Sequence, residues 1–442
     1  MSAAKTAANP ALNITLEEEI RMASTGIRKT ALSLAVAGAF AGGVSQAHAS
    51  AFALIEQSAC GLGNSYAGAA AAAEDASTIF YNPAGMSLLP GGMQVSAGLA
   101  LINLSAKFSD SGSVAAAGRT LGGSGGDAGD LSAVPNVYFA MDVAPNWKVG
   151  VGVSVPFGLK TEYDPAWMGR FQAIKSDIST LNLNPSVSYK LNETVSLGFG
   201  VNYQSIDAEF TNAVNLGAGG ETTADIKAKD SGSLGYNLGA MFQLAPDTRL
   251  GISYRSAIKY HLTGTATFAS PLVPSGDVSV DIKMPDSESI ALQHRLNPGW
   301  TLLADVTRTG WSKIRDLTIV RDTGATLSST PENFKNTWRV GVGAVHRYDD
   351  AWSIKMGLAF DQTPVNDTDR TARLPDNNRL WLSVGGQYKL SKDGTLDFGY
   401  AHLFIKDAPI NQNAGSAAAF GQLVGTYKGS VDIFGAQFAY RF

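Results

Sequence analysis

The chain ends with the stretch FGAQFAYRF, residues 434–442. Aromatic side chains and one alanine occupy its even-numbered positions, whereas Gly, Gln, Ala and Arg occupy the odd-numbered ones. Because successive side chains of a β-strand point to opposite faces, this period of two predicts a strand with one apolar and one more polar face. In a membrane barrel the apolar face meets lipid and the other face meets an enclosed lumen.

The same alternation recurs upstream. It is clearest in segments 181–189, 195–204, 352–361 and 395–400. A soluble antiparallel sandwich also alternates, so no single segment decides between the two fold classes. The repetition from residue 93 to residue 442 favours an all-β fold, a transmembrane barrel of antiparallel strands.

Two kinds of connection separate these segments. Short turns, made of residues that tolerate tight turn geometry, occur at Pro145-Asn146, Asn192-Glu193, Pro246-Asp247, Asn297-Pro298-Gly299, Asp349-Asp350 and Lys392-Asp393-Gly394. Longer polar or glycine-rich stretches lie near 109–133, 160–177, 211–232, 269–277, 322–333, 364–377 and 408–425. Six short and seven long connections predict about fourteen strands, and their alternation is typical of outer-membrane barrels. Trp147, Trp300 and Trp352 closely follow short turns, which predicts an aromatic girdle.

Composition excludes several other classes of protein. Charged residues make up 16% of the chain, well below the roughly 25% of soluble globular proteins. The chain has no run of about 18 apolar residues, so a helical membrane protein is not predicted. The formal net charge of -4 provides no basic surface for nucleic acid. We expect no cofactor, no metal site and no catalytic residue.

The N-terminus carries the features of a secretory signal. Arg28 and Lys29 precede the apolar stretch 30–44, and Ala47-His48-Ala49 supplies a small-x-small cleavage pattern. We expect cleavage after Ala49. The acidic residues before Met22 are unusual in a positively charged leader, which suggests that Met22 is the true start and that residues 1–21 are an over-extended reading frame.

Residues 50–92 do not alternate. They are rich in Ala and Gly and contain Gly61-Leu62-Gly63, the alanine run 69–73, Glu74-Asp75 and Asn82-Pro83-Ala84. Their glycine content disfavours a long exposed helix, and their apolar character disfavours disorder. We therefore predict that 50–92 is a hatch, folded as a plug inside the lumen of a barrel formed by 93–442. Cys60, the only cysteine, cannot form an internal disulfide and is interpreted as a packed residue.

On these residues the chain resembles the FadL-type outer-membrane transporters of long-chain fatty acids and aromatic hydrocarbons. The resemblance rests on Phe52, Gly61-Leu62-Gly63, Glu74-Asp75, Asn82-Pro83-Ala84, Val134-Pro135-Asn136, Tyr254-Arg255-Ser256, Thr309-Gly310-Trp311-Ser312, Phe334-Lys335, Trp338-Arg339 and Leu374-Pro375-Asp376. It implies a fourteen-stranded barrel, a hatch on the periplasmic side, and substrate that leaves sideways through a gap made by a kinked third strand. Long-chain fatty acids are the favoured ligand class.

The third predicted strand contains a candidate for this kink, Pro156-Phe157-Gly158. Proline cannot donate a hydrogen bond to the sheet, and glycine inside a strand often marks a bend. We expect these three residues to form the gate, although Pro185 also falls within a predicted strand. Asn82, Pro83 and Ala84 are expected to shape a turn of the hatch.

Four residues are predicted ligand contacts: Lys335, Arg339, Arg255 and Phe52. Lys335 and Arg339 share the parity expected to face the lumen, as do Arg255 and Lys259. A cation in a lumen of low dielectric constant attracts a carboxylate strongly. The resemblance favours Lys335 as the main contact.

Each of these assignments has an alternative. The cations could instead pair with lumenal acids such as Asp281, Asp305 and Asp361, and Phe52 could simply pack within the hatch. A basic residue that relatives carry at the end of the fifth strand is replaced around Glu209-Phe210. This keeps a neutral or aromatic substrate open.

The favoured function is passive transport of hydrophobic compounds across a bacterial outer membrane: extracellular loops capture the ligand, and the hatch controls its pocket. An outer-membrane lipid hydrolase, a general porin and a structural barrel are the alternatives. A hydrolase needs a nucleophile beside a base, and the candidate bases are His261, His294, His346 and His402. His346 and His402 have lipid-facing parity, which is poor placement for lumenal chemistry.

The expected partners are a hydrophobic ligand, outer-membrane lipid and lipopolysaccharide. The aromatic C-terminal strand is also expected to bind the barrel assembly machinery. The barrel is expected to be a monomer.

Overall fold

The computed structural model describes residues 51–442. The predicted signal segment, the cleavage after Ala49 and the alternative start at Met22 fall on residues 1–50 and lie outside the described part of the chain. Among the helices that are described, none has both the length and the apolarity needed to span a bilayer.

The described residues form a single sheet of twenty strands. The strands are β1 (Met93–Asp110), β2 (Leu131–Ala144), β3 (Trp147–Ser154), β4 (Gly158–Glu162), β5 (Lys175–Lys190), β6 (Val195–Asn215), β7 (Glu221–Ala245), β8 (Thr248–Arg255), β9 (Ile258–Phe268), β10 (Gly276–Met284), β11 (Ser287–Asn297), β12 (Trp300–Thr309), β13 (Asp316–Arg321), β14 (Thr326–Pro331), β15 (Thr337–Arg347), β16 (Trp352–Asp361), β17 (Arg379–Lys389), β18 (Gly394–Ile405), β19 (Ala408–Gln412) and β20 (Leu423–Arg441).

Fourteen of these strands close into an antiparallel barrel. Their order around the ring is β1, β2, β3, β5, β6, β7, β8, β11, β12, β15, β16, β17, β18 and β20. β20 then returns to β1, with Arg441 opposite Gln94 and Gly425 opposite Asp110. This pairing joins the last strand to the first, so the ring has no terminal edge. The predicted closed antiparallel barrel of about fourteen strands is confirmed.

The six predicted short turns join consecutive barrel strands, and the long connections all lie at the opposite end. The rings of Trp147, Trp300 and Trp352 gather at the short-turn end. Trp147 and Trp352 each pack against a tyrosine of the neighbouring strand in a tilted arrangement, with ring centroids 4.5 and 4.7 Å apart. Outer-membrane barrels place short turns in the periplasm, so we call the end with the long connections the extracellular end.

Two predicted loops differ from the structure. Most of 211–232 is strand, because β6 runs to Asn215 and β7 starts at Glu221. The predicted loop 269–277 is only the tip of the β9–β10 hairpin, which lies within a longer connection between β8 and β11. The extracellular hairpins therefore extend the sheet beyond the barrel. Alternation persists in them, so the sequence pattern could not mark where the barrel ends.

The two faces of the barrel differ as predicted. Leu181 and Leu183 on β5 are each 44% exposed, whereas Asn182 and Asn184 between them are buried. A closed ring encloses its inner face, so the buried polar set points into the lumen and the exposed apolar set faces lipid.

Residues 51–92, which we call the hatch segment, are mostly buried and contain four short helices. These are the 3-10 helices Leu62–Asn64 and Pro83–Leu88 and the α-helices Ala69–Ala72 and Thr78–Tyr81. The remaining described helices, Gly217–Gly219, Trp311–Lys313 and Ala417–Phe420, belong to the long connections. Backbone of the hatch segment lies directly against lumen-facing glycines, including Gly198, Gly251 and Gly357. It therefore contacts the lumenal face of the wall at β6, β8 and β16.

Candidate ligand cavity and lateral opening

The third strand of the barrel is interrupted. β3 ends at Ser154 and β4 begins at Gly158. β2 pairs with β3 only as far as Val137 opposite Val153, while β4 pairs with β5 alone. Residues 131–136 of β2 therefore have no strand partner on that side, and we call this gap in the strand pairing of the wall the lateral opening. Pro156 lies in the interruption, where its missing N–H group is tolerated.

The hatch segment bonds to this interruption. The Leu54 N–H donates to the Pro156 carbonyl at 2.8 Å, and the Gly158 N–H donates to the Phe52 carbonyl at 2.8 Å. The Gln57 side chain spans the backbone of Val155, donating to its carbonyl at 2.7 Å and accepting from its N–H at 3.0 Å. These four bonds satisfy groups that the sheet would otherwise pair. Gln57 was missed in the sequence, where nothing distinguishes it from a surface residue.

A cavity of about 160 Å³ adjoins the opening. Its apolar lining includes Leu54, Ile55, Phe80, Tyr81, Pro156, Phe157, Leu238 and Trp311. Its charged lining is Arg255, Asp305, Arg339 and Asp361. The cavity thus has the form of small-molecule sites in general, largely apolar with a few polar groups that fix orientation. It brings together the predicted gate residues Pro156 and Phe157 and two of the predicted ligand contacts.

Arg255 is the cavity cation that lacks an acidic partner within residues 51–442. Its guanidinium group donates to the side-chain oxygen of Asn202 and to the Phe80 carbonyl, the latter at 2.9 Å. It also lies over the Phe80 ring, 4.3 Å from the ring centroid. Neutral partners leave its charge uncompensated, so it can accept an anionic group.

Arg339 is bonded differently. It is buried on β15 and pairs with Asp305 of β12 at 3.1 Å. It also donates to the Ser65 carbonyl of the hatch segment. The alternative that lumenal cations pair with lumenal acids therefore applies to Arg339, which additionally ties the hatch segment to the wall.

Two of the predicted cations do not lie in the lumen. Lys335 is exposed and precedes β15, so the alternation that places Arg339 inward does not reach it. Lys259 is exposed on β9, a strand separate from that of Arg255. Asp281, predicted to be a lumenal acid, is also exposed, and its carboxylate lies 2.8 Å from His261. Lys335 lies before its strand, whereas Lys259 and Asp281 lie on strands of the extracellular hairpin β9–β10, outside the barrel ring.

Phe52 packs behind the cavity rather than lining it. It is buried, with its ring centroid 4.8 Å from that of Trp311 and 6.3 Å from that of Phe157. It therefore supports two cavity-lining rings, which favours the packing interpretation.

Asn82 anchors the turn Asn82-Pro83-Ala84. Its side-chain amide donates to the carbonyls of Ala70 at 2.7 Å and Ala240 at 3.1 Å, and its oxygen accepts from the Ala84 N–H at 3.1 Å. The turn thus joins two parts of the hatch segment to β7.

A buried ion cluster joins the hatch segment to strands β16 and β18. The Lys355 ammonium group on β16 donates to Glu74 at 2.7 Å, to Asp397 at 3.1 Å and to Cys60 Sγ at 3.0 Å. Cys60, Glu74 and Asp397 converge closely enough to suit a metal ion, but the ammonium group lies among them and neutralises the acids. The parity of Lys355 within 352–361 was the signal that could have identified it.

Glu209 and Phe210 lie on opposite faces of β6. Glu209 joins an ion-pair group with Lys175 at 2.6 Å and Lys227 at 3.3 Å. Phe210 is buried, and the guanidinium group of Arg373 lies 5.0 Å from its ring centroid. A loop residue therefore supplies a cation beside a position where the strand itself has none.

The described histidines do not form a nucleophile–base–acid set. His402 bonds Asp432 and His261 bonds Asp281, whereas His294 bonds the Thr248 hydroxyl. His346 bonds only the Gly299 carbonyl. Within 51–442, no histidine has both a hydroxyl and a carboxylate partner, which is the arrangement that an activated nucleophile requires.

The description "outer membrane protein transport protein (OMPP1/FadL/TodX)" belongs to a family model that matches residues 40–442. The chain belongs to this family. This FadL-type barrel is 28% identical to the long-chain fatty acid transport protein of Salmonella typhi, over 94% of this chain and 98% of that protein. It is an outer-membrane protein.

Solved structures agree with the fold of this FadL-type barrel. A Pseudomonas aeruginosa FadL homologue superposes with a TM-score of 0.82 at 25% identity, covering 89% of this chain and 100% of that one. The toluene transporter TodX of P. putida has a TM-score of 0.63 at 18% identity, with coverage of 83% and 94%. The second comparison bears on the fold alone.

Proposed function

We propose that this FadL-type barrel carries hydrophobic compounds passively across the outer membrane, with long-chain fatty acids as the favoured ligands. The observation that carries the proposal is the position of the cavity. Pro156 and Phe157 belong both to its lining and to the interrupted strand, so a ligand in the cavity lies beside the lateral opening. A relative named for long-chain fatty acid transport supports the ligand class.

In this mechanism the extracellular loops capture the ligand and deliver it to the cavity. Its alkyl chain packs against the apolar lining, and its carboxylate approaches Arg255. Displacement of the hatch segment then breaks its bonds to the interrupted strand and frees the lateral route. The direction of flow follows the concentration gradient. Pro156, Phe157 and Gly158 form the gate.

Arg255 is proposed as the head-group contact in place of Lys335. An anion placed beside Arg255 gains a charge-assisted hydrogen bond without breaking an existing ion pair, whereas an anion at Arg339 competes with Asp305. The apolar part of the cavity lining, including Phe80, Phe157 and Trp311, also suits an aromatic hydrocarbon. Aromatic hydrocarbons are therefore the second candidate ligand class.

Titration of the purified barrel with oleate and with dodecane, followed by tryptophan fluorescence, tests both parts of the proposal. Arg255→Gln should weaken oleate binding by about tenfold or more, because a hydrogen bond to a charged group contributes roughly 1.5–3 kcal/mol. Dodecane binding should not change. Arg347→Gln, at an exposed periplasmic turn, is the matched control.

The outcomes separate the two parts. Equal effects on oleate and dodecane would remove the head-group role of Arg255 while leaving transport intact. Absence of binding by any apolar ligand would contradict transport itself. Hydrolysis of labelled phospholipid by the purified barrel would support the hydrolase alternative instead.

A further inference from the structure

Three lysines stand side by side on the outer wall of the barrel at its extracellular end. Lys107 of β1 lies directly opposite Lys428 of β20. Lys406 follows β18 and lies between the pairs Phe404–Ser430 and Ala408–Tyr427, which places it beside Lys428 on the other side. We call Lys107, Lys428 and Lys406 the lysine row. All three are exposed.

The charges of the lysine row are poorly compensated. Lys107 approaches Asp127 at 3.8 Å with both side chains in contact with solvent. Lys406 and Lys428 have no carboxylate within ion-pair distance among residues 51–442. They border one cleft with Asp376, but that carboxylate pairs with Arg379 at 2.7 Å. Like charges directly opposite each other destabilise a sheet. A bound anion would remove this cost.

Three polar residues lie on the lipid-facing surface, closer to the periplasmic end than the lysine row. His402, Asp432 and Asn103 are consecutive partners across β18, β20 and β1, and we call them the polar row. Asp432 accepts hydrogen bonds from the Tyr400 hydroxyl at 2.6 Å and from the His402 ring at 2.8 Å.

The flanking strands show that the polar row faces lipid. Leu382 of β17 is opposite His402, and Leu131 of β2 is opposite Asn103. These leucines are 52% and 54% exposed. Polar groups on the lipid face of a barrel carry a free-energy cost, and a polar ligand that contacts the row would reduce it.

We propose that the lysine row and the polar row form a binding site for the phosphorylated head group of lipopolysaccharide. Lysine ammonium groups suit the phosphates, whereas the imidazole, carboxylate and amide groups suit the hydroxyl and amide groups of the glucosamine backbone. The exposed Phe434 and Leu101 lie two residues closer to the periplasmic end on the same strands, and they suit the acyl chains. The two rows lie four residues apart along each strand, which is about 14 Å, so one extended head group can contact both.

The location fits this ligand. The rows are at the extracellular end, where the outer leaflet consists of lipopolysaccharide. Asn103 pairs with Leu131 of β2, the strand that borders the lateral opening. A bound head group therefore stands next to the opening without entering the cavity, and this site does not depend on the proposed transport function.

Native mass spectrometry of the full-length barrel in detergent, with added lipid A, tests the proposal. The triple variant Lys107→Gln, Lys406→Gln, Lys428→Gln should bind lipid A about a hundredfold more weakly, since each lysine near an anionic lipid surface contributes roughly fivefold. Dephosphorylated lipid A should bind the unmodified barrel as weakly. The matched control removes three charges at the periplasmic end: Lys190→Gln, Lys389→Gln, Lys392→Gln.

A second variant tests the polar row. His402→Gln with Asp432→Asn should reduce the preference for lipid A over phosphatidylglycerol while oleate binding stays unchanged. Three results would overturn the site: lipid A binding unaffected in the lysine variant, an equal loss in the periplasmic control, or equal affinity of the unmodified barrel for phosphatidylglycerol and lipid A. The comparison of phosphorylated with dephosphorylated lipid A needs no variant, so equal binding of the two would overturn the site even if the lysine variant fails to fold.

Discussion

Single residues show where alternation predicts a site and where it fails. The parity of Arg339 and Asp305 placed both in the lumen, and they form a buried ion pair there. Lys335 has the same parity but precedes the strand, where the backbone no longer alternates. No sequence pattern marked Gln57, because its side chain bonds the backbone at a break in a distant strand. Parity therefore identifies lumenal residues only inside strands whose ends are known.

Removing one partner of the Arg339–Asp305 pair should destabilise the barrel. Asp305→Ala leaves a buried guanidinium group without its carboxylate, and breaking a buried pair in this way costs about 3–5 kcal/mol. Urea unfolding in lipid vesicles measures the loss. The double variant Asp305→Ala, Arg339→Met should recover most of it, since the unpaired charge is gone. A double variant as unstable as Asp305→Ala alone would contradict this explanation.

We expect Glu332 to make the extracellular loop between β14 and β15 sensitive to pH. It is buried between β14 and β15, and burial raises its pKa to about 8, with Arg373 opposing the shift. The folded loop therefore binds a proton that the unfolded chain releases above pH 4.5. Its stability should fall as pH rises from 4.5 to about 8, by up to about 1.4 kcal/mol per pH unit.

Hydrogen–deuterium exchange of segment 326–337 at pH 5 and pH 8, corrected for intrinsic rates, measures this effect. Glu332→Gln should abolish the difference between the two pH values, because glutamine does not titrate. A pH dependence that persists unchanged in Glu332→Gln would assign it to another group.

At the scale of elements, the hatch segment depends on glycines of the wall. Alternation along the strands places Gly198 and Gly357 on the lumenal face, but only the structure shows that hatch backbone lies directly against them. A Cβ atom at Gly357 would overlap the backbone of Asn64, and one at Gly251 would overlap the Ala70 carbonyl. Close approach of hatch backbone to wall backbone thus explains glycine at these positions.

Gly251→Ala should displace the helix Ala69–Ala72 from the wall without breaking the barrel. We expect a higher conductance in planar bilayers and faster hydrogen exchange across 69–82. Gly415→Ala is the control, since a Cβ atom there meets nothing within 4 Å. Identical conductance of the two variants would show that the hatch segment does not rest on Gly251.

For the whole molecule, the number of strands followed from the turns rather than from the strands themselves. Six short and seven long connections predicted fourteen strands, and the ring has fourteen although the sheet has twenty. The six additional strands were not predicted, because β4, β9, β10, β13, β14 and β19 lie within the long connections. Local periodicity does not reveal whether a strand spans the membrane or extends beyond it.

Deleting 51–92 should leave the barrel folded and open. Part of the lumenal face is polar, including Asn182, Asn184 and Lys355, so water can replace many of the contacts of the hatch segment. We expect a large rise in single-channel conductance, with unchanged heat-modifiable migration on gels as the test of folding. Conductance equal to that of the full chain would indicate that 51–92 does not block the lumen, which favours the general porin.

The four hydrogen bonds between the hatch segment and the interrupted third strand have a thermodynamic consequence. They couple the hatch segment to the interrupted strand, because neither can move away from the other while these bonds remain. By linkage, we expect any molecule that binds more tightly once the hatch segment has moved to favour release of the interrupted strand by the same free energy. A single coupling free energy then describes the movement of the hatch segment and the release of the strand. A spectroscopic probe on either of them would report on the other.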